Sequence, residues 1–208
     1  MTTTGVVWDQ RYLLHNMGSW HPESPQRLQA IRRVLEECPV GKKVVRLEPR
    51  LATPEEIALI HDFDYVKKIE KTSGHEVRLD PDTSTSPESW EAARLAAGGL
   101  LESVDAVMGG KFSNAFAFVR PPGHHAERAR AMGFCLFNNV AIAAEYAIRK
   151  KNCRRIAIID YDVHHGNGTQ HAFYADASVF YMSVHQHPFY PGTGDAGETG
   201  SGEGIGCT

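Results

Sequence analysis

Arg155-Ile156-Ala157-Ile158-Ile159-Asp160-Tyr161-Asp162-Val163-His164-His165-Gly166-Asn167-Gly168-Thr169 couples an apolar run to a cluster of acids and imidazoles. The apolar half reads as a buried strand. Residues two apart in an extended chain point the same way, so Asp160, Asp162 and His164 are expected on one face at the strand's end. Two carboxylates and an imidazole are costly to bury together unless a cation joins them. Mixed oxygen and nitrogen donors suit a divalent metal such as zinc. The alternative is a solvated, turn-forming Asp/His cluster, and so apolar a lead-in argues against it.

Outward from this stretch, apolar runs alternate with helical patterns. Gly5 to Trp8, Val44 to Leu47, Ala115 to Val119 and Val179 to Val184 read as further strands. Leu28, Ile31, Val34 and Leu35 fall at helical spacing after the loop at His21-Pro22-Glu23-Ser24-Pro25. Thr53-Pro54-Glu55-Glu56 supplies an N-cap, a proline at the first helical position and early acids, and turns Ile57 and Ile60 inward. Helices are also predicted over Tyr65 to Lys71, Trp90 to Met108, Val140 to Lys150 and Gly168 to Tyr174; Gly98-Gly99 weakens the second of these. Asp80 to Pro87 reads as a polar, turn-rich connection. Strands alternating with helices predict an α/β domain with a largely parallel sheet flanked by helices, whose ligands sit beyond the carboxyl ends of the strands.

The bulk numbers narrow the function. A chain of 208 residues suffices for one domain, with 42% hydrophobic and 23% charged residues as in ordinary globular proteins. A formal net charge of -3 argues against direct nucleic acid binding. The one dense basic run, Arg149 to Arg155, falls where a helix ends and suits its dipole. No apolar run reaches the length of a membrane span, and the N-terminus lacks the pattern of a secretory signal. Cys38, Cys135, Cys153 and Cys207 show no metal or redox spacing and read as packing thiols in a reduced, cytoplasmic-type compartment.

The Phe116 strand leads into Arg120-Pro121-Pro122-Gly123-His124-His125-Ala126. Prolines and a glycine tighten this loop and let backbone approach a ligand. Adjacent histidines at the same sheet edge as the acid cluster suggest proton transfer, though either can serve as a metal ligand.

These motifs, with Gly133-Phe134-Cys135, Asn138-Asn139 and Tyr190-Pro191-Gly192-Thr193-Gly194, resemble the zinc-dependent histone deacetylase family. That family includes acetylpolyamine amidohydrolases and shares the arginase/deacetylase α/β fold. The resemblance runs from about His21 to the last residue, and Asn167 makes the wording similar to class II and bacterial members. It implies that Asp162 and His164 are zinc ligands. It implies that His125 is the general base and then the acid for the leaving amine, with Asn167 orienting it. It implies an electrostatic role for His124, oriented by Asp160. Gly133, Phe134 and Tyr190 would line a narrow channel for an acetylated lysine-like stem, with Asp82 at the rim. Asp160, Asp162, His164 and Ser183 would surround a structural potassium ion.

The resemblance also predicts a third zinc ligand, an Asp in a later Gly-Phe-Asp type segment, and a still later tyrosine that stabilises the transition state. Neither segment occurs up to Thr208; Asp176 and Asp195 are nearby acids outside the expected segment. The expectation is therefore an N-terminal portion of a longer enzyme, or a natural short form, that binds zinc weakly and turns over poorly. Two other readings compete: a catalytically silent interaction module, and a dinuclear arginase-like hydrolase. Acetyl-lysine on a protein and small acetylated amines such as acetylpolyamines present the same amide tip, so the residues leave the substrate open between them.

Overall fold

The computed structural model of the protein describes residues 3–208. In chain order the elements are β1 (Thr4–Val7), α1 (Pro25–Glu37), β2 (Val44–Leu47), α2 (Pro54–Ile57), α3 (Phe63–Glu70), β3 (Val77–Asp80), β4 (Thr83–Thr85), α4 (Ser89–Met108), β5 (Asn114–Ala117), α5 (Asn139–Lys151), β6 (Ile156–Asp160), α6 (Asn167–Ala172) and β7 (Val179–Ser183). The apolar runs form parallel strands in two groups. β1 lies between β2 and β5, with Gly5 opposite Val45 and Ala115. β6 pairs with β7, which sets Asp160 opposite Ser183.

The two groups share helices rather than hydrogen bonds. α4 and α5 pack together, and Leu101, Phe137, Ile142, Trp90 and Ile69 form the largest apolar cluster. A second cluster joins β1 and β2 to α4 through Val7, Leu47 and Leu95, and a third joins α5 to β6 and β7 through Ala141, Ile158 and Val179. β5 and β6 are not paired, and an open apolar trough of about 460 Å³ lies between them, lined by Val104, Val107, Ala115, Val140 and Ile158.

The local signals explain most element ends. Thr53 and Glu56 form a reciprocal capping box at the start of α2, which lasts a single turn and buries Ile57 fully. Asn138 caps α5, accepting from Ala141 N at 3.1 Å. Gly98 and Gly99 lie inside an unbroken α4 and let it run against neighbouring chain: a Cβ at Gly98 would sit 1.9 Å from the Arg50 carbonyl oxygen. The basic run is absorbed locally, with Arg149 paired to Glu145 and Lys151 to Asp105.

Three expectations change. The polar segment Asp80 to Pro87 is half of an antiparallel hairpin, β3–β4, whose Thr83 and Thr85 side chains are buried and hydrogen-bonded. Polarity hides a strand when its inward residues are threonines with internal partners. The helical row on α1 buries only Leu28, which joins Val7 and Leu47, leaving Ile31 39% and Val34 58% exposed, because α1 packs mainly on the short turns at Gln10–Leu14 and Gly41–Lys43. The apolar runs at β5, β6 and β7 are not wholly buried either: Phe116, Ile159 and Phe180 face outward from the unpaired part of the sheet. All four cysteines are free thiols, with Cys135 buried. Among the described residues no helix is long and apolar enough to cross a membrane.

Candidate active site

The loops after β5 and β6 meet at the carboxyl ends of their strands. Arg120, at the start of the first loop, is buried and makes four hydrogen bonds: its guanidinium donates to both Glu23 carboxylate oxygens (2.5 and 2.7 Å) and to the Tyr12 and His15 carbonyls (2.9 and 3.0 Å). Burying an ion pair is offset only when further hydrogen bonds join the direct one, and the two backbone carbonyls supply them here. The loop is thereby anchored four residues before its histidines. Thr169 N donates to the His124 carbonyl at 3.1 Å, stitching the two loops together. Gly168 permits this approach, since a Cβ there would sit 2.2 Å from the Ala126 carbonyl oxygen.

His124 and His125 lie with ring centroids 3.9 Å apart and turn their Nδ1 atoms to different partners. His124 Nδ1 donates to Asp160 Oδ2 at 2.9 Å, and His125 Nδ1 donates to Asn167 Oδ1 at 2.8 Å. In each case the Nε2 edge is left free of the partner. Burial, followed by the neighbouring His124, pushes His125 down to about 4, so its neutral form prevails near pH 7. Burial by itself would raise the Asp160 carboxyl, but the His124 hydrogen bond and charge outweigh it and hold the group below the usual carboxylate range.

The shared strand face expected for Asp160, Asp162 and His164 is not found. β6 ends at Asp160, and the chain then bends. Asp160 turns toward His124, while Asp162 and His164 form their own pair, with His164 Nδ1 3.1 Å from Asp162 Oδ1. Alternation held only as long as the strand did. The pair still reaches the histidines: the His164 ring is 5.9 Å from that of His125. A carboxylate and an imidazole side by side, both solvent-accessible, fit zinc as part of a donor set. Among the described residues no group of three or more His, Cys, Asp or Glu side chains gathers to hold a metal. Asp176 and Asp195 are engaged elsewhere, accepting from Ser178 N and Gly197 N in turns. The Ser183 hydroxyl bonds the His185 ring at 2.8 Å.

Aromatic walls flank this floor. Tyr190 sets its ring edge-on to His125 and His164, at 5.0 and 5.7 Å. Burial, with the charges of Asp82 and Asp80, pushes its phenol up to about 12, so it stays protonated. On the other side Gly133 and Phe134 both take positive φ, 55° and 70°. A side chain at Gly133 would strike His125, with Cβ only 2.4 Å from Cδ2. Phe134 is a bulky residue in the left-handed region, held there by its N–H to Thr83 Oγ1 (2.9 Å) and by the His21 ring 4.6 Å away. Asp82 stands at the rim: its carbonyl accepts from His21 Nε2 at 3.1 Å and its carboxylate from the Thr83 hydroxyl at 2.9 Å. A groove of about 680 Å³ extends from this rim along the hairpin.

Several contributors carry no linear motif. Tyr181 donates to Asp160 Oδ2 at 3.2 Å and accepts from Gly166 N, and its inward place on β7 was the only available signal. Gly166 lets these groups converge, since a Cβ there would meet Asp160, Tyr181 and His124 within 3.0 Å. Phe189 stacks on His164 at 5.3 Å and 10°. Glu127 holds the far end of the Asn167 amide.

Comparison with known proteins matches this arrangement to others. The family model described as "Histone deacetylase domain" matches residues 21–208. The chain is 41% identical over 207 residues to a "Probable deacetylase" of Archaeoglobus fulgidus, covering 99% of this chain and 57% of that protein. It is 38% identical over 237 residues to "Histone deacetylase 9" of Homo sapiens, covering 99% of this chain and 23% of that one. The crystal structure of the HDA15 HD domain superposes with a TM-score of 0.96 at 41% identity, covering 99% of this chain and 60% of that one. The chain thus spans little more than half of the archaeal relative's length.

Proposed function

Because the chain belongs to the histone deacetylase family, we propose that this cleft serves zinc-dependent hydrolysis of the acetyl amide of acetyl-lysine, or of a small acetylated amine. Phe134 and Tyr190 form walls suited to a methylene stem with a polar tip. His125, neutral and with Nε2 unprotonated, takes a proton from the attacking water. The same nitrogen delivers that proton to the departing amine nitrogen as the carbon–nitrogen bond breaks and acetate forms. His124, backed by the Asp160 carboxylate, offers an N–H to the oxygen on which negative charge develops. Asp162 and His164 would hold zinc, which when bound supplies Lewis acidity to the carbonyl.

The observation that carries this reading is the pair of adjacent imidazoles, differently partnered, beside an Asp–His pair at the strand ends. The test is acetate release from an acetyl-lysine peptide by the zinc-supplemented protein. His125→Ala is expected to lower turnover by about 10²–10⁴ while zinc content by atomic emission stays constant. Undiminished acetate release would remove the base assignment, and loss of zinc would make His125 a ligand. Among the described residues only two acid or imidazole donors are gathered, which favours a second reading in which this span alone holds zinc weakly and turns over poorly. Tight zinc binding without turnover would support the silent module instead.

A further inference from the structure

An amide side chain has two ends of nearly equal size and opposite hydrogen-bonding sense. Asn167 is 2% exposed and uses both: Oδ1 accepts from His125 Nδ1, and Nδ2 donates to Glu127 Oε1 and, more distantly at 3.4 Å, to the His125 carbonyl. Glu127, the nearer of these two acceptors, is therefore the side chain that tells the two ends apart. An ionised carboxylate only accepts, so it takes the NH₂ end and leaves the oxygen for His125. The reversed amide would put oxygen against carboxylate and NH₂ against an imidazole N–H, leaving both buried contacts unmade.

Glu127 is itself held in place. Its N–H donates to the Arg130 carbonyl at 2.9 Å, and its carbonyl accepts from His61 Nδ1 at 3.0 Å. Its carboxylate meets His171 Nδ1 at 2.9 and 3.1 Å. The His171 contact and the Asn167 contact hold the carboxyl below its usual range against the opposing effect of burial, with Arg130 adding positive charge. A chain of four side chains thus runs from His125 through Asn167 and Glu127 to His171, which is half exposed on α6.

We propose that Glu127 is a positioning residue: by accepting from the Asn167 amide it keeps Oδ1 on His125 and holds that histidine in the tautomer whose Nε2 is bare. The proposal rests on His125 being the base, because only then does a bare Nε2 matter to the reaction. Its readout does not depend on turnover.

The experiment is 15N NMR of histidine-labelled, zinc-free protein at pH 7, where ring nitrogen shifts report which nitrogen carries hydrogen. Wild type is expected to show His125 protonated at Nδ1. Glu127→Lys replaces an acceptor by a donor, so the amide turns over, its NH₂ faces His125, and the proton moves to Nε2. Glu127→Ala, read instead should the lysine variant not fold, gives a mixture of both tautomers. Glu127→Gln can still accept through its amide oxygen and retains the wild-type tautomer. Turnover of the lysine and alanine variants falls by about 10- to 100-fold with KM little changed, and glutamine rescues it. A His125 that stays Nδ1-protonated in both the lysine and alanine variants overturns the proposal. A reversed tautomer in a protein whose His125→Ala variant still releases acetate removes the base assignment and leaves the Glu127 contact standing.

Discussion

His124 and His125 are neighbours along the chain and close in space, yet one leans on a carboxylate and the other on an amide. A carboxylate orients an imidazole and offsets its positive charge when protonated. An amide orients it and offsets nothing. Two imidazoles 3.9 Å apart cannot cheaply carry charge together. Burial and the neighbouring His124 keep His125 neutral, with its value near 4, while the Asp160 carboxylate accepts from His124. Two adjacent residues of one type thereby acquire two chemistries, set by groups 36 and 42 residues further on.

Equalising the partners is the direct way to break this contrast. The largest effect is expected from Asp160→Asn, which puts both imidazoles on amides. Turnover should fall by about 10- to 100-fold with His125 still neutral by NMR; unchanged turnover would mean that the carboxylate merely fills space. Asn167→Asp equalises them the other way. Read by NMR titration in a Glu127→Gln background, which removes the facing Glu127 carboxylate, a carboxylate on His125 should raise its proton affinity by about 1–3 units from the wild-type value near 4.

The sign also reaches stability. Wild-type His125 titrates below the ~6.5 of a free imidazole, so its neutral form favours the fold above that pH. This contribution is lost as pH falls toward 4, where the unfolded chain binds the proton more readily. Asn167→Asp narrows that window, and chemical denaturation across it should show a flatter dependence on pH. A titration that does not move would show that charge at position 167 does not reach the His125 ring. The smallest effect belongs to Tyr181→Phe, which removes one hydrogen bond from Asp160 and the acceptor of Gly166 N. Denaturation should report a loss of about 0.5–1.5 kcal/mol, with the His125 tautomer untouched.

Much of this is legible in the sequence where the signal is local. Apolar runs at β1, β5, β6 and β7 identify the strands, and Thr53-Pro54-Glu55-Glu56 identifies a helix start. The motifs at His124-His125 and Asp160 to Asn167 are visible because each sits directly after a strand. Legibility fails where geometry leaves the regular element. Asp162 and His164 fall past the end of β6, so alternation no longer says where they point. It fails again in the hairpin, where Thr83 supports Phe134 from 51 residues away. Glu127 reads as an ordinary loop acid until Asn167 is seen against it.

The sequence by itself determined the strand and helix segments, the parallel α/β class, and the residue types able to move protons and bind a metal. Periodicity, capping and turn chemistry act within a few residues, and those residues are adjacent in the chain. Only the tertiary structure decided which nitrogen of each histidine is engaged, that Asp160 parts company with Asp162 and His164, and that Glu127 stands behind Asn167. Those outcomes depend on where groups 36 to 42 residues apart come to rest, and hydrogen bonds are satisfied by proximity in space, not by position in the chain.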